Sequence, residues 1–216
     1  MNIEQARFNM IEQQIRPWDV LDARVLELLK LMRREQFIAP ENKALAFMDT
    51  EIPLSHGVSM WQPRVEARVL QAVNVKSRDR VLEIGTGSGY LTALLARMAG
   101  QVTSVEIEPE LSAFAARNLA AQHIDNVTLQ VGDASQLWGE AEYDVIVLTG
   151  SVPMVPAAYK NQLKVGGRLF AVVGDAPAMQ ARLITRTAVD AFESTTLFET
   201  SIAPLKNAQQ PQRFVF

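Results

Sequence analysis

The sequence of 216 residues contains no cysteine and only two histidines, His56 and His123. Without cysteine the chain has no disulfide, no thiolate nucleophile and no cysteine-based metal site. The two histidines do not stand at a metal-binding spacing, so we expect no metal. The sequence also lacks an apolar run long enough to span a bilayer, and its start is polar rather than like a signal peptide. These features predict a cytoplasmic protein without a membrane partner.

The sequence also has no strong excess of positive or negative charge. The 21 lysines and arginines oppose 24 acidic residues, which gives a net charge of −3. A protein that follows nucleic-acid phosphates needs a broad basic face, so we expect no nucleic-acid partner. The 48% of hydrophobic residues suffice for a buried core, and the length suits one compact unit. These numbers leave the oligomeric state open.

The N-terminal part of the chain has a pattern of its own. Residues 3–35 carry apolar side chains at helical spacing, with a break where Pro17 cannot continue a helix. Residues 36–63 contain three prolines and little periodicity, and such a long ordered loop is more often functional than idle. We therefore treat residues 1–63 as an N-terminal helical cap that ends in a functional loop.

From residue 64 to residue 216, short β-rich runs alternate with helical stretches. The predicted strands are Arg80–Ile84, Val102–Ile107, Val127–Val131, Tyr143–Thr149 and Arg168–Val173, and the predicted helices are 64–74, 89–99, 109–122 and 154–163. Three further strands follow without a helix between them, at Gln180–Thr187, Thr195–Ala203 and Gln212–Phe216. The alternation predicts an α/β fold with a doubly wound, mostly parallel seven-stranded sheet, Rossmann-like, whose C-terminal edge is antiparallel.

A glycine-rich turn follows the first of these strands and opens a helix. Gly85, Gly87 and Gly89 surround Thr86 and Ser88, one residue short of the dinucleotide fingerprint, so a pyrophosphate is not the best ligand for this turn. Glu83 precedes the turn and favours a cationic amino-acid portion over a diphosphate, which it would repel. These features predict an adenosyl cofactor with a cationic tail, S-adenosylmethionine, bound by Glu83, Gly85, Thr86, Gly87 and Gly89.

The ends of the next strands carry matching polar groups. Glu106 lies 21 positions after Gly85 and can accept both hydroxyls of a ribose, with Ile107 beside it. Asp133 and Ala134 follow the third strand and are expected to meet the adenine. Thr149 and Gly150 follow the fourth and are expected to border the methyl donor. A dinucleotide site and a purely structural turn stay open as alternatives.

Taken together, these residues resemble the protein-L-isoaspartate O-methyltransferase family over about residues 7–205. The matching segments are Glu83–Tyr90, Met10–Ile15, Asp22–Leu26, Asp49–Pro53, Gly57–Pro63, Pro156, Gln162–Lys164, Gly166–Leu169, Gly174, Leu197–Phe198 and Ala203–Leu205. The resemblance implies methyl transfer from S-adenosylmethionine to the free carboxylate of isoaspartyl residues in proteins or peptides, a repair reaction. It also implies that Asp49–Pro53 and Gly57–Pro63 belong to one segment that covers the active site, which we call the covering segment.

The covering segment departs from the family pattern Gly-x-Thr-Ile-Ser-x-Pro, whose serine is named as the active-site residue. In Gly57–Pro63, Ser59 falls on the threonine and Trp61 falls on the serine. The segment Arg34–Pro40 is one residue longer than the corresponding segment of the family. The sequence after Leu205 lacks the C-terminal pattern that is usual in the family. Ser59 is the candidate for the catalytic position, as the residue that orients the substrate. Three interpretations of Trp61 stay open. It is a lid residue that packs over the cofactor, an aromatic residue of the core, or a side chain that blocks the substrate pocket.

A carboxylate acceptor is ionised at pH 7 and needs no general base, so alignment and exclusion of water are the main tasks. Other acceptors leave traces that the sequence lacks. Thr149–Pro153 does not carry the Asn/Asp-Pro-Pro-aromatic motif of base amino methylation, and a covalent pyrimidine adduct needs a cysteine. Two alternatives stay open: a methyltransferase of the same scaffold with another acceptor, and a cofactor-binding homologue without catalysis.

Overall fold

The computed structural model describes residues 2–210 and begins with an interrupted helical region. Its segments are α1 (Ile3–Met10), a π-helical turn (Ile11–Ile15), a 3-10 turn (Arg16–Trp18) and α2 (Ala23–Leu31). The Asn2 side chain accepts a hydrogen bond at the start of α1, and Asp22 does the same for α2, so both helices have a capped N-terminus. The predicted break at Pro17 is confirmed, because the helix has tightened and ended there.

The segment between α2 and Pro63 is mostly irregular, as predicted. It contains 3-10 turns at Arg34–Phe37, Pro40–Leu45 and Ser55–Gly57. It also forms a small antiparallel sheet that the sequence pattern did not predict, made of β1 (Ile52–Pro53) and β2 (Ser59–Met60). In this pair Ile52 lies opposite Met60, and Pro53 lies opposite Ser59.

The main sheet has seven strands and confirms the predicted fold class. They are β3 (Arg80–Ile84), β4 (Gln101–Glu106), β5 (Val127–Val131), β6 (Tyr143–Leu148), β7 (Leu163–Asp175), β8 (Ala178–Ala188) and β9 (Ala191–Thr200). Their spatial order is β5-β4-β3-β6-β7-β8-β9. The pairs from β5 to β7 are parallel, whereas β8 and β9 add antiparallel pairs at the C-terminal edge.

Four helices connect the strands: α3 (Pro63–Val73), α4 (Tyr90–Met98), α5 (Pro109–Ala121) and α6 (Ala157–Asn161). α6 is shorter than the predicted helix 154–163, because Pro156 stands at its N-terminus and β7 begins at Leu163. The C-terminal strands also differ from prediction: β7 and β8 are longer, and β9 ends at Thr200. The predicted strand Gln212–Phe216 lies outside the described residues.

The sheet separates two buried clusters, as expected for strands that are covered on both faces. Alternate residues of β6 face opposite ways, so Val145 belongs to one cluster and Ile146 to the other. The larger cluster also includes Ile15 and Leu29 of the N-terminal cap together with Leu70 of α3. The cap therefore packs on the same core as the sheet. The division into residues 1–63 and 64–216 stays a prediction.

The strand order also determines where a ligand crevice forms. From β3 the chain proceeds to β4 and β5 on one side, and then crosses to β6 and β7 on the other. In open parallel sheets, ligands bind at the carboxyl ends of the strands where the order reverses. The reversal here lies between β3 and β6, next to the glycine-rich turn.

Candidate active site

One pocket lies at these strand ends, between the sheet and the segments that cover it. It is lined by every predicted site residue except Gly89, namely Ser59, Glu83, Gly85, Thr86, Gly87, Glu106, Ile107, Asp133, Ala134, Thr149 and Gly150. The covering segment and the C-terminal tail complete the lining, with Leu54, Val58 and Trp61 on one side and Ile202–Lys206 on the other. The predicted cofactor residues and the predicted substrate residue therefore share one cavity.

The glycine-rich turn is fixed by a threonine from the neighbouring strand. The hydroxyl of Thr149 lies 2.8 Å from the carbonyl oxygens of both Ile84 and Gly85 and can donate to either. A Cβ at Gly85 would clash with that hydroxyl, and Gly85 has a φ of +97°. Glycine is needed at this position because the turn must pass close to β6 with a left-handed backbone.

Gly89 has a structural role and does not line the pocket. It has a φ of +79° at the N-terminus of α4, and a Cβ there would lie 3.0 Å from the Cβ of Ala115 on α5. Glycine at this position therefore allows α4 to start and to pack closely on α5. The sequence predicts Gly89 as one of the cofactor glycines, and that assignment stays a prediction beside this packing contact.

Glu106 is buried at the end of β4 and is held by backbone amides. Its Oε2 accepts a hydrogen bond from the Gly87 amide at 2.8 Å, and its Oε1 accepts one from the Glu108 amide at 3.2 Å. A carboxylate has about four lone-pair sites, so both oxygens keep capacity for further donors. The glycine turn thus orients the carboxylate that was predicted to bind a ribose.

Asp133 lies at the mouth of the pocket and is exposed. Its Oδ1 accepts from the Ser135 amide at 2.9 Å, and its Oδ2 accepts from the Asn207 side chain at 2.8 Å. The Ser135 amide, with a smaller contribution from Asn207, lowers the pKa of Asp133 below its usual range. The side chain is therefore an anionic acceptor, suited to an amino group.

Glu83 lies at the end of β3 and is completely buried. Its Oε2 accepts hydrogen bonds from the Ser104 hydroxyl at 2.6 Å and from the Thr92 hydroxyl, whereas its Oε1 has no partner among residues 2–210. Burial raises the pKa of Glu83 to about 8, although the two hydroxyls act against the shift. A buried carboxylate with one free oxygen is stabilised by a cation, which agrees with the expectation from the sequence.

A buried ion pair that includes the pocket residue Glu66 was not predicted. Nη1 of Arg34 donates to Oε2 of Glu66, and Nη2 donates to the Trp61 carbonyl at 2.5 Å. The guanidinium lies 4.9 Å from the ring centroid of Tyr90, the first residue of α4. Burial raises the pKa of Glu66 to about 7, and Arg34 opposes the shift. The sequence feature that could have indicated this pair is the position of Glu66 among the apolar residues on the buried face of α3.

The covering segment brings Ser59 and Trp61 to the same pocket. Ser59 is half-buried on β2, and Trp61 is 7% exposed. The indole of Trp61 packs edge-on against Phe170 of β7, with ring centroids 6.1 Å apart. Trp61 is therefore both a core aromatic and part of the pocket wall.

Charged side chains hold the outer part of the covering segment. The imidazole Nε2 of His56 lies 2.9 Å from Glu110, and its Nδ1 lies 3.4 Å from Glu108. Glu108 also contacts Lys206 of the C-terminal tail at 2.5 Å, and this contact lowers the pKa of Glu108. One carboxylate thus connects the covering segment and the tail across the mouth of the pocket.

Two further findings concern the described part of the chain. Between residues 2 and 210, no group of three or more histidine or acidic side chains is arranged to hold a metal ion. None of the helices in that range is long and apolar enough to cross a membrane.

Comparisons with known proteins indicate the family. A family model described as protein-L-isoaspartate(D-aspartate) O-methyltransferase matches residues 5–210. The protein-L-isoaspartate O-methyltransferase 1 of Rhodopseudomonas palustris is 39% identical over 201 residues, covering 92% of this chain and 82% of the relative. The protein-L-isoaspartate O-methyltransferase 2 of Marinobacter nauticus is 37% identical over 206 residues, covering 94% of each.

Solved structures agree on the fold. A crystal structure of a Plasmodium falciparum protein, described as a putative protein-L-isoaspartate O-methyltransferase in complex with S-adenosyl-L-homocysteine, superposes with a TM-score of 0.80 at 22% identity. The match covers 95% of this chain and 99% of that one. A second structure, named protein-L-isoaspartate O-methyltransferase, has a TM-score of 0.77 at 25% identity and covers 94% of this chain and 65% of the other.

Proposed function

The chain belongs to the protein-L-isoaspartate(D-aspartate) O-methyltransferase family and is an S-adenosylmethionine-dependent methyltransferase, and we propose that it methylates isoaspartyl residues in proteins. In this reaction a carboxylate oxygen of the isoaspartyl residue attacks the donor methyl group. The O–CH3 bond forms while the S–CH3 bond breaks, which gives a methyl ester and S-adenosylhomocysteine. The observation that carries the proposal is the single pocket in which Glu83, Thr149 and Ser59 meet.

We assign the cofactor contacts from the geometry of the sheet side of the pocket. Glu106 and Ile107 bind the ribose, because the Gly87 amide holds the carboxylate at the strand end. Asp133 and Ala134 bind the adenine. Glu83, through its free oxygen, compensates the ammonium of the amino-acid portion, beside Gly85, Thr86 and Gly87. Thr149 and Gly150 border the methyl donor.

The acceptor contacts belong to the covering segment in this proposal. An isoaspartyl carboxylate needs orientation rather than deprotonation, and a hydroxyl such as that of Ser59 can donate a hydrogen bond to one of its oxygens. The reacting atoms must lie in line and in near-contact, which a closed pocket mouth favours. The Glu108 contacts with His56 and Lys206 supply that closure.

The position of Trp61 favours a second candidate function. Its indole forms part of the pocket wall at the position where the family pattern has serine, which narrows the space for a peptide main chain. A methyltransferase with a smaller acceptor is therefore the alternative, with a cofactor-binding protein without turnover beyond it. The cytoplasmic location predicted from the sequence stays a prediction.

Turnover with radiolabelled methyl donor distinguishes these functions. We expect base-labile label on a peptide with one isoaspartyl residue, and none on the matched peptide with an ordinary aspartyl residue. Calorimetry should show one S-adenosylhomocysteine site per chain. Binding without turnover on either peptide would favour the alternatives, and no binding at millimolar ligand would refute the cofactor assignment.

A further inference from the structure

The buried contact between Arg34 and Glu66 connects three parts of the active site. Arg34 belongs to the N-terminal cap, Glu66 to α3, and the Trp61 carbonyl to the covering segment. The guanidinium also lies over Tyr90, which directly follows the glycine-rich turn. Arg34 is 1% exposed and Glu66 is 2% exposed. One side chain of the cap thus contacts α3, the covering segment and the start of α4.

The covering segment has few other attachments near Trp61. Its outer half is held by His56, whose contacts are partly solvated and therefore weak. Its inner half is held by the pairing of β1 with β2 at Ser59 and Met60, by the Arg34 bond to the Trp61 carbonyl and by the indole on Phe170. The carbonyl lies two residues beyond Ser59, so a shift of this anchor moves the Ser59 hydroxyl relative to the methyl donor.

We propose that Arg34 is a positioning residue for methyl transfer: through the Trp61 carbonyl it sets where the covering segment places Ser59 and Trp61, and Glu66 holds the guanidinium in that position. The proposal rests on the proposed function only for the identity of the acceptor. Arginine is required because its planar fork bonds a carboxylate and a carbonyl at once and stacks on a ring, which a lysine ammonium cannot do. Glu66 is required because a buried guanidinium without a counter-charge is unfavourable.

Arg34→Lys tests this role against a merely structural one. The matched control is Arg168→Lys, since Arg168 also bonds a carboxylate, that of Asp79, and two backbone carbonyls at 2.9 Å, but its described hydrogen bonds do not reach the covering segment. We expect Arg34→Lys to lower kcat/KM for the isoaspartyl peptide about tenfold or more, while the Kd of S-adenosylhomocysteine changes less than about twofold. Arg168→Lys should leave both unchanged.

A spectroscopic readout reports the position of Trp61 itself. The chain has three tryptophans, so replacing Trp18 and Trp138 by phenylalanine leaves Trp61 as the single emitter. We expect Arg34→Lys and Glu66→Gln to shift its emission to longer wavelength, and Arg168→Lys to leave it unchanged. Glu66→Gln provides the second variant in case Arg34→Lys fails to fold.

The outcomes separate this inference from the proposed function. If the parent does not methylate isoaspartyl peptide, the proposed function fails, and the Trp61 emission still decides the role of Arg34. If both variants match Arg168→Lys in kcat/KM and emission, the inference is overturned. Loss of the fold in both Arg34→Lys and Glu66→Gln would also overturn it, because the pair would then serve stability alone.

Discussion

The two walls of the pocket are built in different ways. The sheet wall consists of strand ends and tight turns, and its functional carboxylate, Glu106, is fixed by backbone amides. The cover consists of a two-residue strand pair, 3-10 turns and a tail, and side-chain contacts of Arg34, His56 and Lys206 hold it in place. Backbone geometry follows from the fold, whereas side-chain anchors change with single substitutions.

The largest expected effect concerns the sheet wall. In the proposed site, Glu106→Ala removes the acceptor that we assign to two ribose hydroxyls, and charge-assisted hydrogen bonds contribute about 1.5–3 kcal/mol each. We expect the Kd of S-adenosylhomocysteine to rise by about a hundredfold or more, measured by calorimetry. Glu193→Ala on the exposed face of β9 is the control and should bind like the parent. An unchanged Kd for Glu106→Ala would mean that the ribose lies elsewhere.

Glu83 gives the sheet wall a pH dependence. Burial raises its pKa to about 8, so the ligand-free fold favours its protonated form, and the stability gained from this is lost as the pH rises from 4.5 through about 8. A bound ammonium favours the carboxylate, and binding then releases a proton. We therefore expect the affinity for S-adenosylmethionine to increase as the pH rises from about 5.5 to 7.5, by up to about tenfold per pH unit.

Calorimetry in two buffers of different ionisation enthalpy measures that proton directly. Glu83→Gln should bind the donor more weakly and without proton release. Equal pH slopes for the parent and for Glu83→Gln would show that Glu83 does not face the ammonium.

Ser59 tests the cover. Ser59→Ala removes the hydrogen bond that we propose orients the acceptor, so we expect a loss of about tenfold in kcat/KM for the isoaspartyl peptide, or about 1.4 kcal/mol. The Kd of the cofactor should not change. Ser55→Ala, four residues earlier on the exposed side of the same segment, is the control. Full activity of Ser59→Ala would leave the orienting role to another group.

The smallest expected effect lies at the mouth of the pocket. His56→Ala removes the contacts with Glu108 and Glu110, and we expect S-adenosylhomocysteine to dissociate about two- to fivefold faster in stopped-flow experiments. The difference should shrink at high salt, because exposed charges are screened. His123→Ala, with an exposed histidine beyond α5, should release the product at the parent rate. A salt-independent effect would argue against an electrostatic contact.

The same contrast explains what the sequence could predict. Strand periodicity and the spacing of Glu83, Gly85 and Glu106 depend on local geometry, so the fold class and the position of these residues at the strand ends could be predicted from the sequence, whereas the strand order was not predicted. Gly89 shares that pattern but faces Ala115, which only packing reveals. The Arg34 contact with Glu66 joins residues 32 positions apart, and no periodicity relates them. The pair of β1 and β2 was missed because two-residue strands carry no alternation.

Trp61→Ser sharpens the comparison of the two walls further. Removal of the indole frees space for a peptide main chain, so isoaspartyl transfer should rise while the cofactor binds as before. Truncation of a buried aromatic costs about 3–5 kcal/mol of stability, so the variant is assayed where circular dichroism shows it folded. If Trp61→Ser and Ser59→Ala both behave like the parent on isoaspartyl peptide, our account of the covering segment is wrong.

One paired titration tests most directly whether the sheet wall determines cofactor affinity while the cover determines transfer to the acceptor. S-adenosylhomocysteine affinity and isoaspartyl methyl transfer are measured side by side for the parent, Glu106→Ala and Trp61→Ser. The account predicts that Glu106→Ala loses cofactor affinity, whereas Trp61→Ser keeps it within about twofold and changes only the transfer to the peptide. Equal losses of cofactor affinity in the two variants would contradict it.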